Sequence, residues 1–401
     1  MNHKKIVPLL IASTLLLQPC VQASADPVNS FSEMLSEGDV SLSFRYRYEF
    51  VDQDGIDKTA NASTLKTRLN FTSAPYQGFT SVLEMDNVTV IGDERYRTPS
   101  NGQTDYPIVA DPDGTDVNQA FVAYKNTDYS ATAGRQRILH GSQRFVGGVG
   151  WRQNEQTYDA FRFSSAAVGP LSIDYSYVWN VNRIFGPDNS AAQAKQWDSD
   201  SHILFASYAL AEAHTLNGFA YLLDFDDSPA NSTSTYGIEY KGKFSMASVT
   251  ASYATQSDYG DNSASFDTNY LMAEVSLPIK SVILTAGYEL LGSDNGVGFK
   301  TPLATLHKFQ GWADKFLTTP GLGVEDSYLK VATKVADVNV AATYHDFSSN
   351  EGGEDYGSEL DMVASYAFNK NVNAQLKYAA YSADTFATDT DKVWVTVNLK
   401  F

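Results

Sequence analysis

The chain ends K-V-W-V-T-V-N-L-K-F, Lys392 to Phe401. Val393, Val395, Val397, Leu399 and Phe401 fall on one face of a strand, and Lys392, Trp394, Thr396, Asn398 and Lys400 on the other. Chain ends usually fray, so an alternating strand that runs to a terminal aromatic needs a partner along its whole length. A β-barrel that closes its last strand onto its first supplies one and leaves no polar edge facing lipid. An edge strand of a soluble sandwich is the competing reading.

The same ending resembles the C-terminal signature of outer-membrane β-barrels, in which a terminal Phe is read by the barrel-assembly machinery. That resemblance implies that Phe401 contacts this machinery. The other end agrees. His3, Lys4 and Lys5 precede an apolar run from Ile6 to Leu17, and Ala23-Ser24-Ala25 is a small-x-small cleavage pattern. Residues 1–25 therefore read as a signal peptide cleaved after Ala25, residues 26–36 as a short periplasmic segment, and 37–401 as one barrel domain. Lipidation at Cys20 is the alternative, but Gln18-Pro19 is a poor match to the small residues it needs. No stretch has the eighteen or so apolar residues of a spanning helix. Cys20 is the only cysteine, so disulfides and thiolate metal sites are excluded from the mature chain.

Asp and Glu number 47 against 29 Lys and Arg, a formal net charge of −18. Loss of Lys4 and Lys5 with the leader makes this −20. Such a balance argues against a nucleic-acid partner. Much of the acid sits in expected outer loops, where it would face lipopolysaccharide or simply keep the surface soluble. The 24 Tyr and 22 Phe suit barrel interfaces, where a ring has one wet and one dry end.

From about Glu37 onward a single unit repeats: a strand of roughly ten to thirteen residues, a turn, another strand. Short connections, such as 74–78, 126–128, 168–170, 241–243 and 369–371, alternate with long ones at 92–114, 139–151, 184–200, 292–323 and 348–357. Tight periplasmic turns and long extracellular loops have this pattern. The count predicts an all-β, antiparallel, up-and-down transmembrane barrel of about eighteen strands, sixteen being the alternative.

Alternation assigns faces. Leu42, Phe44, Tyr46, Tyr48 and Phe50 oppose Ser41, Ser43, Arg45, Arg47 and Glu49; Leu65, Leu69 and Phe71 oppose Lys66, Arg68 and Asn70. An Arg facing mid-bilayer lipid costs about 2–4 kcal/mol, so the charged face is the lumen. Pore-lining candidates are Arg45, Arg47, Lys66, Arg68, Glu84, Asp86, Arg135 and Arg137 on the fifth strand, Arg152 and Arg162 on the sixth, Asp159 and Asp174. Guanidinium groups hold carboxylates in a fork, so this set could guide an anion; it could equally brace the wall as ion pairs. Asp159 and Arg162 fall on opposite faces of a regular strand, which calls for a bulge or a rim position.

Five stretches carry a family resemblance: Gly134-Arg135-Gln136, then Trp151-Arg152 after a glycine-rich loop, then Tyr158 to Arg162, and further on His307 to Leu317 and Pro320-Gly321-Leu322. They resemble the alginate-export type of outer-membrane porin. The resemblance implies an eighteen-stranded barrel with an electropositive lumen that passes an anionic polyuronate. The second half of this chain has fewer candidate lumen arginines than such a conduit implies.

The segment 292–323 is the plug candidate. Leu303 to Phe316 is expected to form a short helix with Leu306, Phe309, Trp312, Ala313 and Phe316 on one side; His307, Phe309, Trp312, Asp314, Lys315 and Phe316 are the constriction candidates. A rigid extracellular cap is the alternative. The expected function is passive diffusion of small hydrophilic solutes, anionic or carbohydrate-like, across the outer membrane. The runner-up is a plugged barrel acting as a receptor or adhesin through its loops. A third reading is an outer-membrane lipase using His140 and Ser142, although that pair falls in a glycine-rich loop. The remaining histidines lack ligand spacing, and no cofactor is expected.

Overall fold

In a computed structural model, which describes residues 26–187 and 195–401, strict alternation becomes an inside-out barrel. A helix α1 (Phe31–Ser36) precedes β1 (Asp39–Gln53), β2 (Ala60–Thr72), β3 (Phe79–Val90), β4 (Gly114–Lys125), β5 (Tyr129–Gln136) and β6 (Thr157–Val168). Then follow β7 (Leu171–Asn182), β8 (Gln196–Ala211), β9 (His214–Leu223), β10 (Thr233–Phe244), β11 (Ala247–Asp258), β12 (Asp267–Ile279) and β13 (Val282–Leu291). A two-residue hairpin, β14 (Ser293–Asp294) and β15 (Val297–Gly298), sits in a loop before β16 (Val324–Val335), β17 (Val338–Ser348), β18 (Asp355–Ala367), β19 (Val372–Ala383) and β20 (Thr390–Lys400). Eighteen of these strands form one sheet among the described residues. Each pairs antiparallel with its neighbours, β13 with β16, and β20 returns to β1 with Val395 opposite Tyr48 and Thr396 opposite Arg47. The ring is closed, so no edge is left unpaired. The signal-peptide expectation falls on residues 1–25 and part of the 184–200 loop on 188–194, both outside the described residues.

The expected faces hold. Arg47, Glu49, Lys66 and Glu84 are buried inside, while Leu329, Phe161 and Ile238 stand out from the outer wall. A soluble core would have the opposite arrangement; here the dry side is outside, as a lipid solvent requires. No helix among the described residues is long and apolar enough to cross a membrane. Crossing falls to the strands.

Two local expectations are corrected. The turn read at 241–243 lies inside β10; the chain reverses at Ser245 and Met246, with Ser245 at φ +54°. The Lys-Gly-Lys triplet looked like turn chemistry, but both lysines simply occupy lumen-side positions of a continuing strand. The parity conflict in β6 resolves as a rim position. Asp159 pairs with Asn180 and Ala160 with Val178, leaving Trp179 of β7 without a partner. Trp179 packs on Phe161, with ring centroids 4.9 Å apart. The bulge thus lies in β7 and β6 stays regular: Arg162 faces the lumen, whereas Asp159 shares the outer face of Phe161 at the extracellular end of the strand and pairs there with Arg135, so these two expected pore-lining residues lie at the rim.

The face assignment has a direct test. Leu329, at the middle of β16, is 65% exposed on the outer wall. Leu329→Arg is expected to destabilise the folded barrel by about 2–4 kcal/mol, measured by urea unfolding in lipid vesicles. The same change at Asp52, at the outer rim, should cost far less.

Candidate functional site

Two loops occupy the lumen. One, residues 137–156, joins β5 to β6; the other, residues 292–323, joins β13 to β16. They touch along their backbones. Val146 bridges Leu303, the Gly147 N–H donates to Leu303 O at 2.8 Å and the Thr305 N–H to Gln143 O at 3.0 Å. A Cβ on Gly147 would collide with Thr305 Oγ1, so this crossing requires glycine.

The helix expected over Leu303–Phe316 does not form. Only Leu306–Lys308 turns, as a 3-10 piece. Gln310, Gly311 and Asp314 have φ of +48°, +77° and +62°, and left-handed residues cannot be repeated in a right-handed helix. The segment is shaped by its partners instead. Arg152 is also displaced from its expected place. It lies in the first loop, since β6 starts at Thr157, and Arg137 lies one residue beyond β5.

The strongest anchor is Glu155 of the first loop. Its Oε1 accepts from Arg68 Nη2 at 2.7 Å and its Oε2 from Arg137 Nε at 2.5 Å. Lys66 Nζ is 3.5 Å away. Arg68 also forks onto Asp86, with both bonds at 2.6 Å, and Arg137 binds Glu84. Burial disfavours the charged form of Glu155, yet Arg137, Arg68 and Lys66 outweigh it and hold the carboxyl well below its usual range.

The strand β1 supplies a second anchor. Arg45 Nη1 donates to Gly150 O at 3.0 Å and Arg152 O at 3.2 Å, and Arg47 Nη1 to Trp151 O at 2.6 Å. Arg152 in turn reaches Glu49 at 2.9 Å and Asp314 of the second loop at 3.2 Å. Asp314 also binds His307 at 2.7 Å and Lys392 at 2.9 Å. Burial opposes its charge, but Lys392, His307 and Arg152 keep its pKa well below the ordinary value. The Trp151 and His307 rings lie parallel, 4.2 Å apart. Lys377 Nζ sits 3.9 Å from the Trp151 centroid, 3.6 Å from Trp312 and 2.8 Å from His307 Nε2. Such cation–π contacts strengthen as water is excluded.

The rest of the second loop is pinned the same way. Arg144 binds Glu289 at 2.6 Å and Gln310 at 3.2 Å and lies over Phe309 at 4.8 Å. Phe316 packs on Phe347 and Phe386, and Lys315 lies over Tyr381. Arg144, Glu155, Glu289 and Lys377 were not singled out from sequence. No short motif marks them, because their partners lie far off in sequence, Gln310 being 166 positions from Arg144 and Trp151 further still from Lys377.

The basic candidates thus divide. Side chains of Arg47, Lys66 and Arg68 are only 2%, 4% and 4% exposed, and Arg45 is also buried. Arg135, Arg137 and Arg162 keep 26%, 18% and 27%. Arg135 forks onto Asp159 at 2.8 and 3.2 Å, and Arg162 reaches Asp174 at 2.6 Å. Below Arg162 a cavity of about 350 Å³ is lined by Lys125, Ser130, His140, Arg162, Ser164 and Asp174. It adjoins the 126–128 turn and so lies at the periplasmic end. His140 uses one ring nitrogen on Asp174 and the other on Tyr221, each at 3.2 Å. It is held by those groups rather than by Ser142.

Comparison with solved structures supports the same architecture. OccAB4 of Acinetobacter baumannii superposes with a TM-score of 0.72 at 14% identity, covering 91% of this chain and 98% of that one. OccK3 (OpdO) of Pseudomonas aeruginosa gives 0.70 at 11%, covering 92% and 97%. OpdK of Pseudomonas aeruginosa, solved with vanillate, gives 0.69 at 15%, covering 92% and 99%. At these identities the likeness is one of fold. A search of curated proteins found no match. Residues 37–270, more than half the chain, match the family model described as alginate export. With a closed eighteen-stranded barrel, apolar outside and charged within, this chain belongs to the alginate export family and is a bacterial outer-membrane channel.

Proposed function

We propose that the channel passes small hydrophilic anions by diffusion, along the side of the lumen bounded by Arg137 and Arg162. The observation that carries this reading is the division in exposure among the lumen cations. Arg45, Arg47 and Arg68 spend their hydrogen bonds on the loops, on Asp86 and on wall groups, and Lys66 lies buried beside Glu155 and Asp86, all out of reach of water. Arg137 and Arg162 are each paired with a carboxylate but remain partly open, so a solute carboxylate can exchange into the fork without meeting an unpaired, over-tight cation. Vanillate, found with OpdK, and the polyuronate implied by the family description are both carboxylates of this class. Glu84 and Asp174 set the spacing of the open arginines. His307, Trp312, Asp314 and the rest of the second loop set the width. On this reading residues 1–25 direct export and are cut after Ala25. Phe401, hydrogen-bonded through its backbone to Leu42, is the end read by the assembly machinery, and the wall faces lipid and lipopolysaccharide.

Single-channel recording of the refolded protein in a planar bilayer tests the reading. A reversal potential across a salt gradient should show anion preference, and uronate should reduce the current. Arg162→Gln should weaken the preference while leaving an open pore. A cation preference in the unmodified channel, or no conductance from a folded barrel, would overturn the proposal; the latter would favour a receptor role for the loops.

The anchors make a separate prediction. Glu155→Gln leaves Lys66, Arg68 and Arg137 short of a buried countercharge, a change that typically costs about 3–5 kcal/mol. The expected phenotype is larger, noisier conductance with the barrel still folded by heat-modifiable gel mobility. The pH dependence follows from linkage. Glu155 and Asp314 have folded pKa values below their unfolded ones. Their contribution is complete above the unfolded value and is lost only as pH falls through the depressed folded one. Conductance of the unmodified channel should therefore be steady between about pH 8 and 5 and become noisy only in stronger acid.

A further inference from the structure

Three strand carboxylates each hold an arginine, and one of them holds it differently. Asp86 takes Arg68 in a closed fork, Nε on one oxygen and Nη2 on the other, both at 2.6 Å. Asp159 takes Arg135 in the same way, at 2.8 and 3.2 Å. At Asp174 the fork is skewed. Arg162 crowds onto Oδ2, with Nε at 2.8 Å and Nη2 at 2.6 Å, while the same Nε is 3.0 Å from Oδ1. Arg162 Nη1 reaches Arg137 O at 3.5 Å, too long for a strong bond. Arg162 also lines the periplasmic cavity and keeps 27% of its side chain exposed.

The register and the first loop account for the skew. Asp174 lies directly opposite Ser164 on β6, and Arg162 opposite Ser176, so the arginine approaches on the diagonal. Ser164 Oγ donates to Asp174 Oδ2 at 2.7 Å. His140 of the first loop places Nε2 3.2 Å from Oδ1, and its Nδ1 lies 3.2 Å from the Tyr221 hydroxyl. The loop backbone fixes the residue: the His140 N–H donates to Val146 O at 3.1 Å, and the Gln143 N–H to His140 O at 2.8 Å. The imidazole stacks on Phe205 at 5.0 Å and on Tyr221 at 5.8 Å. Burial lowers the His140 pKa more than Asp174 raises it, so the ring is neutral at pH 7. A neutral imidazole donates through one nitrogen only. With a carboxylate at Nε2 and a hydroxyl able to donate at Nδ1, that proton sits on Nε2. His140 therefore fills the position on Oδ1 that Arg162 needs to close its fork.

We propose that His140 is a positioning residue for solute binding: by occupying Oδ1 of Asp174 it keeps Arg162 out of a closed fork and leaves guanidinium N–H groups for a solute carboxylate. A planar guanidinium offers five donors in a fixed geometry, and those not spent on Asp174 can take a second carboxylate. The proposal rests on the anion-channel reading above.

Two substitutions separate the donor from the packing. His140→Gln keeps an amide donor in the place of Nε2 and loses the ring. His140→Phe keeps a ring against Phe205 and Tyr221 and loses the donor; His140→Leu replaces it if the Phe variant fails to fold by gel mobility. Block of chloride current by glucuronate is measured for the unmodified channel, for each variant, for Arg162→Gln, and for His140→Phe combined with Arg162→Gln. His140→Phe should raise the half-blocking concentration about three- to tenfold, with conductance in the absence of glucuronate unchanged. His140→Gln should stay within about twofold of the unmodified channel. In the Arg162→Gln background His140→Phe should add nothing, because its effect runs through that arginine. Block as weak in His140→Gln as in His140→Phe, unaltered block in the folded Phe or Leu variant, or an undiminished effect without Arg162 overturns the positioning role. Absence of glucuronate block in the unmodified channel instead overturns the reading on which it rests.

Discussion

Glu155 lies among Lys66, Arg68 and Arg137, and the interior depends on that arrangement. A barrel of eighteen strands is too wide for wall side chains to meet across it. Its inward rows must nevertheless be polar, because apolar positions are taken by lipid contact. Buried cations without countercharge are costly. The wall contributes Glu84 and Asp86, which leave the three cations of β2 and the end of β5 under-compensated. A carboxylate from a loop completes the set, and in doing so draws that loop into the lumen.

Once Glu155 is seated, the rest of the first loop has little freedom. Arg45 and Arg47 cap the carbonyls of residues 150–152, and Arg152 carries the network on to Asp314 of the second loop. Trp151 and His307 stack where the loops cross, and Lys377 closes over both from the wall. The two loops are thereby held as one body against β19, β20 and β1. On the other flank Arg137 and Arg162 keep part of their surface exposed. The same residue type is buried on one flank and partly open on the other because the loops cover the first more fully.

The faces of β1, β2, β3 and β7 were legible from period-two alternation, because lipid on one side and water on the other enforce it residue by residue. The closed ring, the count of strands and most of the turns followed. Local rules failed where a long-range contact prevailed. Arg152 looked like a strand residue because it lies five positions before β6, and only its bonds to Glu49 and Asp314 place it in the loop. Leu303–Phe316 has helical spacing of apolar residues, but each binds a different partner, so the backbone turns left-handed to serve them. Lys241 and Lys243 read as turn residues because a charged pair around glycine is common there.

The sequence by itself determined an eighteen-stranded outer-membrane barrel and most of the side chains that face its lumen, since those properties arise from near-neighbour periodicity and from the solvent on each side of the wall. Which lumen charges meet water was decided only by the tertiary structure. That depends on two loops, more than a hundred residues apart, whose shape comes from their mutual contacts and from ion pairs with the wall, and no local pattern encodes contacts over that distance.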